Sequence, residues 1–190
     1  MIKVMSFDCQ HHQCKRRKYL QLTQYLISPF DIADQELNRL FSYFLHKAPE
    51  ISSVHSKHID CRWHDDIYSR MLDKSHVKYA RFCSFNAQIE KELEIGTLQG
   101  DNLCLKCKRF VCKKKKPENG KQETDLTCFL RHIRNSIAHG RVYYYIENKH
   151  HYICFEDFNS SGKKISARII CNKTDLNNWK NILSDPRLYS

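Results

Sequence analysis

The chain contains few of the residues that interrupt regular structure, with only five glycines and four prolines among 190 residues. This scarcity leaves little room for long flexible linkers, and the length is typical of one domain with its own core. No run of about 18 apolar residues occurs, so no segment is expected to span a membrane. The amino-terminal residues before Lys15 also lack the apolar stretch of a secretory signal. We therefore expect a cytoplasmic protein with no membrane association.

Acidic residues are scarce relative to basic ones: 21 Asp and Glu stand against 32 Lys and Arg, a formal charge of +11. A surplus of this size attracts polyanions and releases their counterions on binding. The basic residues cluster at Lys15–Lys18 and in the segment 106–116. The charge pattern favours nucleic acid or another polyanion as a partner, and solubility alone is the alternative. The candidate RNA-binding residues in these clusters are Arg16, Arg17, Lys113, Lys114, Lys115 and Lys116.

The ten cysteines indicate reduced thiols or metal ligands, because no export signal precedes them. Cys104 and Cys107 have the spacing of half a zinc site, with Cys112 five residues further, and the pair Cys9 and Cys14 could form the other half. Ordinary buried thiols or a redox pair would give the same short motif. We expect no metal and no cofactor, with zinc at Cys104, Cys107 and Cys112 as the alternative.

The apolar pattern up to residue 140 is mostly helical, with steps of three and four. It predicts helices over residues 15–27, 34–45, 65–74, 78–95 and 126–139. Asp125 is predicted to cap the last of these helices, and Gly140 to end it. The segment 100–122 breaks the pattern and is predicted to be an exposed basic loop rich in Cys and Lys.

After residue 140 the apolar period changes to that of strands. Strands are predicted over residues 141–147, 151–158 and 165–171, with a turn at 159–162 and a final helix over about 174–184. The sequence therefore predicts a mainly α fold, a helical bundle with a small antiparallel β-hairpin or three-stranded sheet and a final helix. The whole chain, 1–190, is predicted to be one domain, with its motif helix at about 125–140 and its β-rich segment at about 141–171.

The segment Arg134–Gly140 brings together residues that could act on a phosphate. At helical spacing, Arg131, Asn135 and His139 fall along one polar edge, with Arg134 beside them. A guanidinium can bind a phosphate and an imidazole can transfer a proton near neutral pH. These groups suffice for attack of an RNA 2′-hydroxyl on its own phosphate without a metal. The alternative is an exposed arginine and a terminal histidine favoured by the helix dipole alone.

The string Leu130–Gly140 resembles the signature of the HEPN superfamily, small helical domains found in many bacterial toxins and antiviral nucleases. That signature has an Arg, a polar residue that is often Asn, and a His a few residues later, here Arg134, Asn135 and His139. The segments Arg141–Tyr143 and Phe155–Asp157 and the helix with Trp179 are similar to a plasmid-type bacterial branch. The resemblance extends over residues 125–185.

The resemblance implies a homodimer in which two motif helices face each other and form one composite site. It implies a metal-independent endoribonuclease that leaves a cyclic phosphate or a related end and acts as a toxin paired with an antitoxin or as a phage-defence effector. An acidic protein is the further partner expected if the chain is a binding module. Asn135 and His139 would be catalytic and Arg134 would contact the phosphate. Arg131, as an RNA contact, and His132 are additional candidates that the motif itself does not support. The alternatives are a non-catalytic HEPN module that binds RNA, a nucleotide or a protein, and a zinc-stabilised regulatory protein.

Overall fold

The computed structural model describes residues 20–21, 25–55, 61–100 and 102–185. Five helices occur in these ranges: α1 (Gln35–His55), α2 (Cys61–Ser75), α3 (Ile89–Ile95), α4 (Asp125–Ala138) and α5 (Lys173–Leu183). Eight strands accompany them: β1 (Leu20–Gln21), β2 (Leu26–Ile27), β3 (Tyr79–Cys83), β4 (Asn102–Leu103), β5 (Arg109–Lys113), β6 (Val142–Glu147), β7 (His150–Phe158) and β8 (Ile165–Asn172). None of the helices in these ranges combines the length and apolar character needed to cross a bilayer.

Six of the strands form one sheet in the order β2-β6-β7-β8-β5-β3. Neighbouring strands are antiparallel except β3 and β5, which run parallel. The two short strands β1 and β4 pair with each other in a separate antiparallel ladder. The centre of the large sheet, β7 and β8, is buried along most of its length.

Alternating side chains of the sheet enter two different cores, as the two-residue period of a strand requires. Ile153 and Phe155 of β7 pack in the larger core with apolar residues of α1, α2, α4 and α5. Cys154, between them, faces a smaller core that includes Ile89 and Leu93 of α3. The sheet therefore carries four helices on one face and α3 on the other.

The prediction of a mainly α fold with a small hairpin is wrong, because the structure is mixed α/β with a six-stranded sheet. The predicted strands 141–147, 151–158 and 165–171 are present as β6, β7 and β8. They form only half of the sheet, which continues through β5 and β3 on one side and β2 on the other. These three added strands lie in segments that were predicted to be loop or helix.

The predicted helix over 78–95 is wrong in its first half, where β3 lies, and α3 begins only at Ile89. The predicted exposed loop over 100–122 is also wrong, because β5 runs through it with Arg109, Phe110, Val111 and Cys112 buried. Of the predicted helix over 15–27, residues 15–19 and 22–24 lie outside the described residues, and 20–21 and 26–27 are strands. The helices predicted over 34–45, 65–74, 126–139 and 174–184 correspond to α1, α2, α4 and α5.

Candidate active site at the carboxyl end of helix α4

Helix α4 is fixed at both ends by hydrogen bonds to its backbone. Thr124, and not the predicted Asp125, is the amino-terminal cap, and its Oγ1 accepts a hydrogen bond from Thr127 N at 3.2 Å. At the other end the backbone N–H of Arg141 donates to Ser136 O over 2.8 Å and that of Gly140 donates to Ile137 O over 3.1 Å. This pair of bonds is a Schellman motif, which needs the left-handed backbone that Gly140 adopts at φ 64°.

The carboxyl end of α4 is open to solvent. Arg134 and His139 are exposed and Asn135 is half-buried. Arg131, Asn135 and His139 line the same cleft of about 560 Å³, which confirms the polar edge predicted from helical spacing. Arg134 is not among the residues that line this cleft, because it projects from the neighbouring face of the helix.

Asp157 on β7 connects the floor of the cleft to α4. Its Oδ2 accepts hydrogen bonds from His132 Nδ1 at 2.7 Å and from Asn135 Nδ2 at 3.2 Å, and its Oδ1 accepts one from Phe158 N at 2.9 Å. Burial alone would raise the pKa of Asp157, but the hydrogen bond and charge of His132, with those from Asn135 and Phe158, keep this pKa below its usual value. Asp157 therefore stays ionised and holds the Asn135 amide in one orientation.

Sequence reasoning did not single out Asp157 as a site residue. It follows another carboxylate, Glu156, in the second half of β7, where the other residues are apolar and mostly buried. The two side chains face opposite sides of the sheet, and Glu156 is buried against Arg168 Nε at 2.7 Å and the Tyr143 hydroxyl at 2.6 Å. Two adjacent acidic residues inside a buried strand could have indicated a functional carboxylate, but the sequence does not show which of the two faces the site.

His132 is a structural residue of α4. Its side chain is buried, with Nδ1 against Asp157 and Nε2 against Lys113 O at 2.8 Å. A terminal nitrogen of the Arg131 guanidinium also lies 3.2 Å from Nε2, so the ring has polar neighbours at both nitrogens. His132 therefore fastens α4 to β7 and β5, and His139 is the histidine of this helix that solvent can reach.

Arg131, a predicted RNA contact, is held by the protein itself. Its Nε and one terminal nitrogen bind the two carboxylate oxygens of Glu123 at 2.7 Å and 2.9 Å, and the latter nitrogen also donates to Lys113 O. Burial raises the pKa of Glu123, but the hydrogen bond and charge of Arg131 outweigh this effect and keep the pKa low. The Arg131 guanidinium is thus committed to a bidentate ion pair at the edge of the cleft.

The structure places only some of the basic residues that were predicted to bind RNA at the cleft. Lys113, Lys114 and Lys115 line the cleft, and Lys116 is exposed just beyond it. Each of the three lining lysines has a protein partner: Lys113 donates to Ala87 O at 2.8 Å, Lys114 pairs with Asp125 at 2.5 Å, and Lys115 pairs with Glu118 at 3.3 Å. Arg16 and Arg17 lie outside the described residues.

Arg141 is a further cation of the cleft that was not predicted as a site residue. It follows His139 by two residues, and its guanidinium carbon lies 3.8 Å from the centre of the Phe158 ring. Both side chains line the cleft. Stacking leaves the edges of the guanidinium available for hydrogen bonds to an anion. Arg141 is therefore placed to meet a phosphate beside His139.

Within the described residues, no group of three or more His, Cys, Asp or Glu side chains has an arrangement that could hold a metal ion. Cys112, one of the predicted alternative zinc ligands, is buried in the larger core, and burial raises the pKa of its thiol well above the usual range. Cys104 and Cys107 lie together on the other side of the sheet, with their sulfur atoms 3.9 Å apart.

A protein-family model described as HEPN pEK499 p136 matches residues 22–183. The match extends over the six strands of the large sheet, α4 and the cleft at its carboxyl end. No curated protein and no solved structure matches the chain. Because the family model covers most of the sequence, including the Arg134, Asn135 and His139 string, this chain belongs to the HEPN pEK499 p136 family.

Proposed function

We propose that this protein is a metal-independent endoribonuclease that cleaves RNA by attack of a 2′-hydroxyl on the adjacent phosphate. The observation that carries the proposal is the arrangement at the open end of α4. An accessible imidazole, His139, stands one helical turn beyond an amide, Asn135, that a buried carboxylate holds in place. Membership of a HEPN family and the formal charge of +11 support an RNA substrate.

The chemistry requires one proton to leave the 2′-oxygen and another to reach the 5′-oxygen. The 2′-oxygen forms a bond to phosphorus, the bond from phosphorus to the 5′-oxygen breaks, and a 2′,3′-cyclic phosphate remains. A neutral His139 takes the 2′ proton as general base. Because Nδ2 of Asn135 is engaged by Asp157, the amide oxygen is its available acceptor, and it orients the ribose hydroxyl or the His139 ring.

A second copy of the chain completes this site in the proposal. Arg134 is exposed on the face of α4 that adjoins the cleft without lining it. When two α4 ends face each other across a two-fold axis, the two Arg134 side chains flank the phosphate and stabilise its developing charge. The imidazolium of His139 of the partner subunit then gives its proton to the leaving 5′-oxygen. The homodimer thus supplies the base and the acid from the same residue of each copy.

The biological role that fits this chemistry is a toxin or phage-defence effector restrained by an antitoxin. Uncontrolled cleavage of cellular RNA would stop growth, so we expect expression of the protein alone to arrest a bacterial host. The His139→Ala protein, expressed to the same level, should leave growth unaffected. Arrest of growth by both proteins would argue against RNA cleavage as the cause.

The direct test is cleavage of RNA by the purified protein in buffer that contains EDTA and no added metal. We expect cuts in single-stranded or structured RNA and none in DNA of the same sequence, because DNA lacks the nucleophile. His139→Ala should lower the initial rate by on the order of 100-fold or more, the usual contribution of a general acid or base.

His150→Ala is the matched control, because His150 is also an exposed histidine but lies at the start of β7 and does not line the cleft. This variant should cleave as fast as the unaltered protein. Equal cleavage rates for His139→Ala and the unaltered protein would refute the proposal. Salt-sensitive RNA binding without any product, unchanged by His139→Ala, would identify a binding module instead.

A further inference from the structure

We propose that Arg141 and Phe158 form a subsite for one unpaired nucleotide of single-stranded RNA, beside the phosphate at which His139 acts. The Arg141 guanidinium lies between the Phe158 ring and the RNA base, and its edge contacts the phosphate of the bound strand. The inference rests on the proposed ribonuclease activity, whose substrate it narrows to RNA that is unpaired next to the cut. It assigns substrate binding to these two residues and no part in the proton transfers.

The alternation of side chains along β7 is broken at the cleft. Asp157 and Phe158 are consecutive and both line the cleft, although neighbouring residues of a regular strand point to opposite faces. Their partners on β8 are Ala167 and Ile165, which are not consecutive. Ser166, between those partners, is the extra residue of a β-bulge, a feature that redirects side chains and is common next to active sites. The bulge thus brings an aromatic ring into a polar cleft.

The backbone holds Arg141 in place over this ring. Its N–H donates to Ser136 O at 2.8 Å, and its carbonyl oxygen accepts a hydrogen bond from Glu156 N at 3.1 Å. The guanidinium carbon lies 3.8 Å from the centre of the Phe158 ring, so the ring covers one face of the guanidinium. Because the Arg141 side chain is only half-buried and lines the cleft, the opposite face is the one that RNA can reach.

Arg141 differs from the other cations that line the cleft. Arg131 and the three lysines each donate to a carboxylate or a carbonyl oxygen of the protein. Within the described part of the chain, the Arg141 guanidinium has the Phe158 ring as its partner and forms no hydrogen bond or ion pair. Its N–H groups therefore remain available for a phosphate of the RNA.

The cleft beside this stack has the size and the wall of a site for one nucleotide. Its volume of about 560 Å³ lies within the range of about 300–1,000 Å³ that is typical of small-molecule pockets. Its outer wall is the turn between β7 and β8, where Asn159, Ser160 and Gly162 line the cleft. Asn159 Oδ1 accepts hydrogen bonds from Lys163 N and Lys164 N, each at 3.2 Å, which hold the turn in shape. The wall is thus formed by the protein alone.

An unpaired nucleotide is the ligand that uses both the face and the edge of the guanidinium. A base in single-stranded RNA can stack on a guanidinium plane, whereas the faces of a base in a duplex are covered by its neighbours. An acidic peptide or a bare phosphate would contact the edge of Arg141 and leave its face unused. Binding that depends on the RNA base therefore distinguishes this subsite from a simple anion site.

The test is binding of a short fluorescent RNA in which fluorine replaces every 2′-hydroxyl, so that the strand binds without being cleaved. Fluorescence anisotropy should show that the unaltered protein binds this single strand on the order of tenfold more tightly than its duplex. It should also bind the strand on the order of tenfold more tightly than an abasic strand of equal length, which keeps the phosphates and lacks the bases. Equal affinity for the abasic strand would overturn the proposal, and so would equal affinity for the duplex.

Substitutions assign the base-dependent binding to this pair of residues. Arg141→Lys should weaken binding of the single strand by on the order of tenfold, because lysine keeps the charge but has no plane on which a base can stack. Phe158→Leu should also weaken it, because the guanidinium loses the ring that supports it. Arg81→Ala is the matched control: Arg81 is exposed on β3 and does not line the cleft, so its removal should leave binding nearly unchanged. Unchanged binding in both Arg141→Lys and Phe158→Leu would overturn the assignment.

Failure of this subsite and failure of the ribonuclease proposal give different results. If Arg141→Lys binds and cleaves RNA like the unaltered protein while His139→Ala is inactive, the subsite is wrong and the ribonuclease stands. If Arg141→Lys loses base-dependent binding but the unaltered protein cleaves no RNA, the subsite stands and the reaction is wrong.

Discussion

The carboxylate of Asp157 on β7 accepts a hydrogen bond from the side-chain amide of Asn135 on α4 over 3.2 Å. The same oxygen accepts the shorter hydrogen bond from the buried His132 at 2.7 Å. One carboxylate therefore joins the motif helix to the central sheet and also orients a residue of the proposed active site. Stability and RNA cleavage should both depend on it.

Replacing Asp157 with Asn should destabilise the fold and slow the reaction. The substitution removes the ionised carboxylate that binds the buried His132 Nδ1 at 2.7 Å, and loss of a hydrogen bond to a charged group costs about 1.5 to 3 kcal/mol of unfolding free energy. Asn135 also loses its fixed acceptor, so kcat should fall more than KM rises, under conditions in which the variant is folded. Urea unfolding and steady-state RNA cleavage measure the two effects.

Asp73→Asn is the control, because Asp73 is exposed on α2 and does not line the cleft. Its unfolding free energy and its kcat should stay at the values of the unaltered protein. An Asp157→Asn protein that is folded and cleaves RNA with unchanged kcat would show that the Asn135 orientation has no role in the reaction.

Acid should destabilise the protein through Asp157 and Glu123. The pKa of each carboxyl is lower in the folded protein than usual, because His132 and Arg131 stabilise the ionised forms against the effect of burial. The stabilisation is complete above the unfolded pKa of about 4 and is lost as the pH falls through the lower folded pKa. Urea unfolding at a series of pH values should show a decline below about pH 4 that is shallower in Asp157→Asn. An identical decline in the variant would contradict this assignment.

Gly140→Ala should impair the site through the backbone. Gly140 has φ 64°, a conformation that costs an alanine about 1 to 2 kcal/mol, and this strain falls on the turn between His139 and Arg141. Gly120→Ala is the matched control, since Gly120 has φ 74°, has no atom close to an added Cβ, and does not line the cleft. Both variants should lose similar unfolding free energy, and only Gly140→Ala should lose RNA cleavage. Equal cleavage by both would show that the Schellman turn does not position His139.

The parts of the fold that the sequence predicts are those specified by local pattern. Helix α4 has an apolar stripe, a capping residue and a terminal glycine, and β6, β7 and β8 are rich in β-branched and aromatic residues. The strands β3 and β5 are different, because each is defined by a partner far away in the chain. Residues 78–95 carry apolar steps that also suit a helix, so the period alone could not distinguish the two structures.

The strand β5 was predicted to be exposed because it contains charged residues, although it is buried. Arg109 is fully buried because four backbone carbonyls accept its hydrogen bonds, and no local pattern reports such acceptors. The same limit applies to the candidate site, of which only a part could be predicted from local sequence. Helical spacing predicted that Asn135 and His139 share an edge, whereas the contributions of Asp157 and Arg141 depend on how α4 meets β7.

The proposed dimeric site predicts how mixed dimers behave. If each reaction needs His139 from both copies, an equal mixture of unaltered and His139→Ala chains, after complete exchange, retains active sites in about one quarter of the dimers. Cleavage activity should then be about one quarter of that of the unaltered protein at the same total concentration, with dimerisation checked by light scattering. Retention of about one half would mean that each chain acts alone.

The most direct test of the proposed 2′-hydroxyl attack uses an RNA in which one ribose is replaced. Once a cut has been mapped, the same RNA with a single 2′-deoxyribose on the 5′ side of the cut phosphate should resist cleavage there, and the normal RNA should end in a 2′,3′-cyclic phosphate. Cleavage of the substituted RNA at the normal rate, or a product without a 2′,3′-phosphate, would contradict a reaction in which His139 activates the neighbouring hydroxyl.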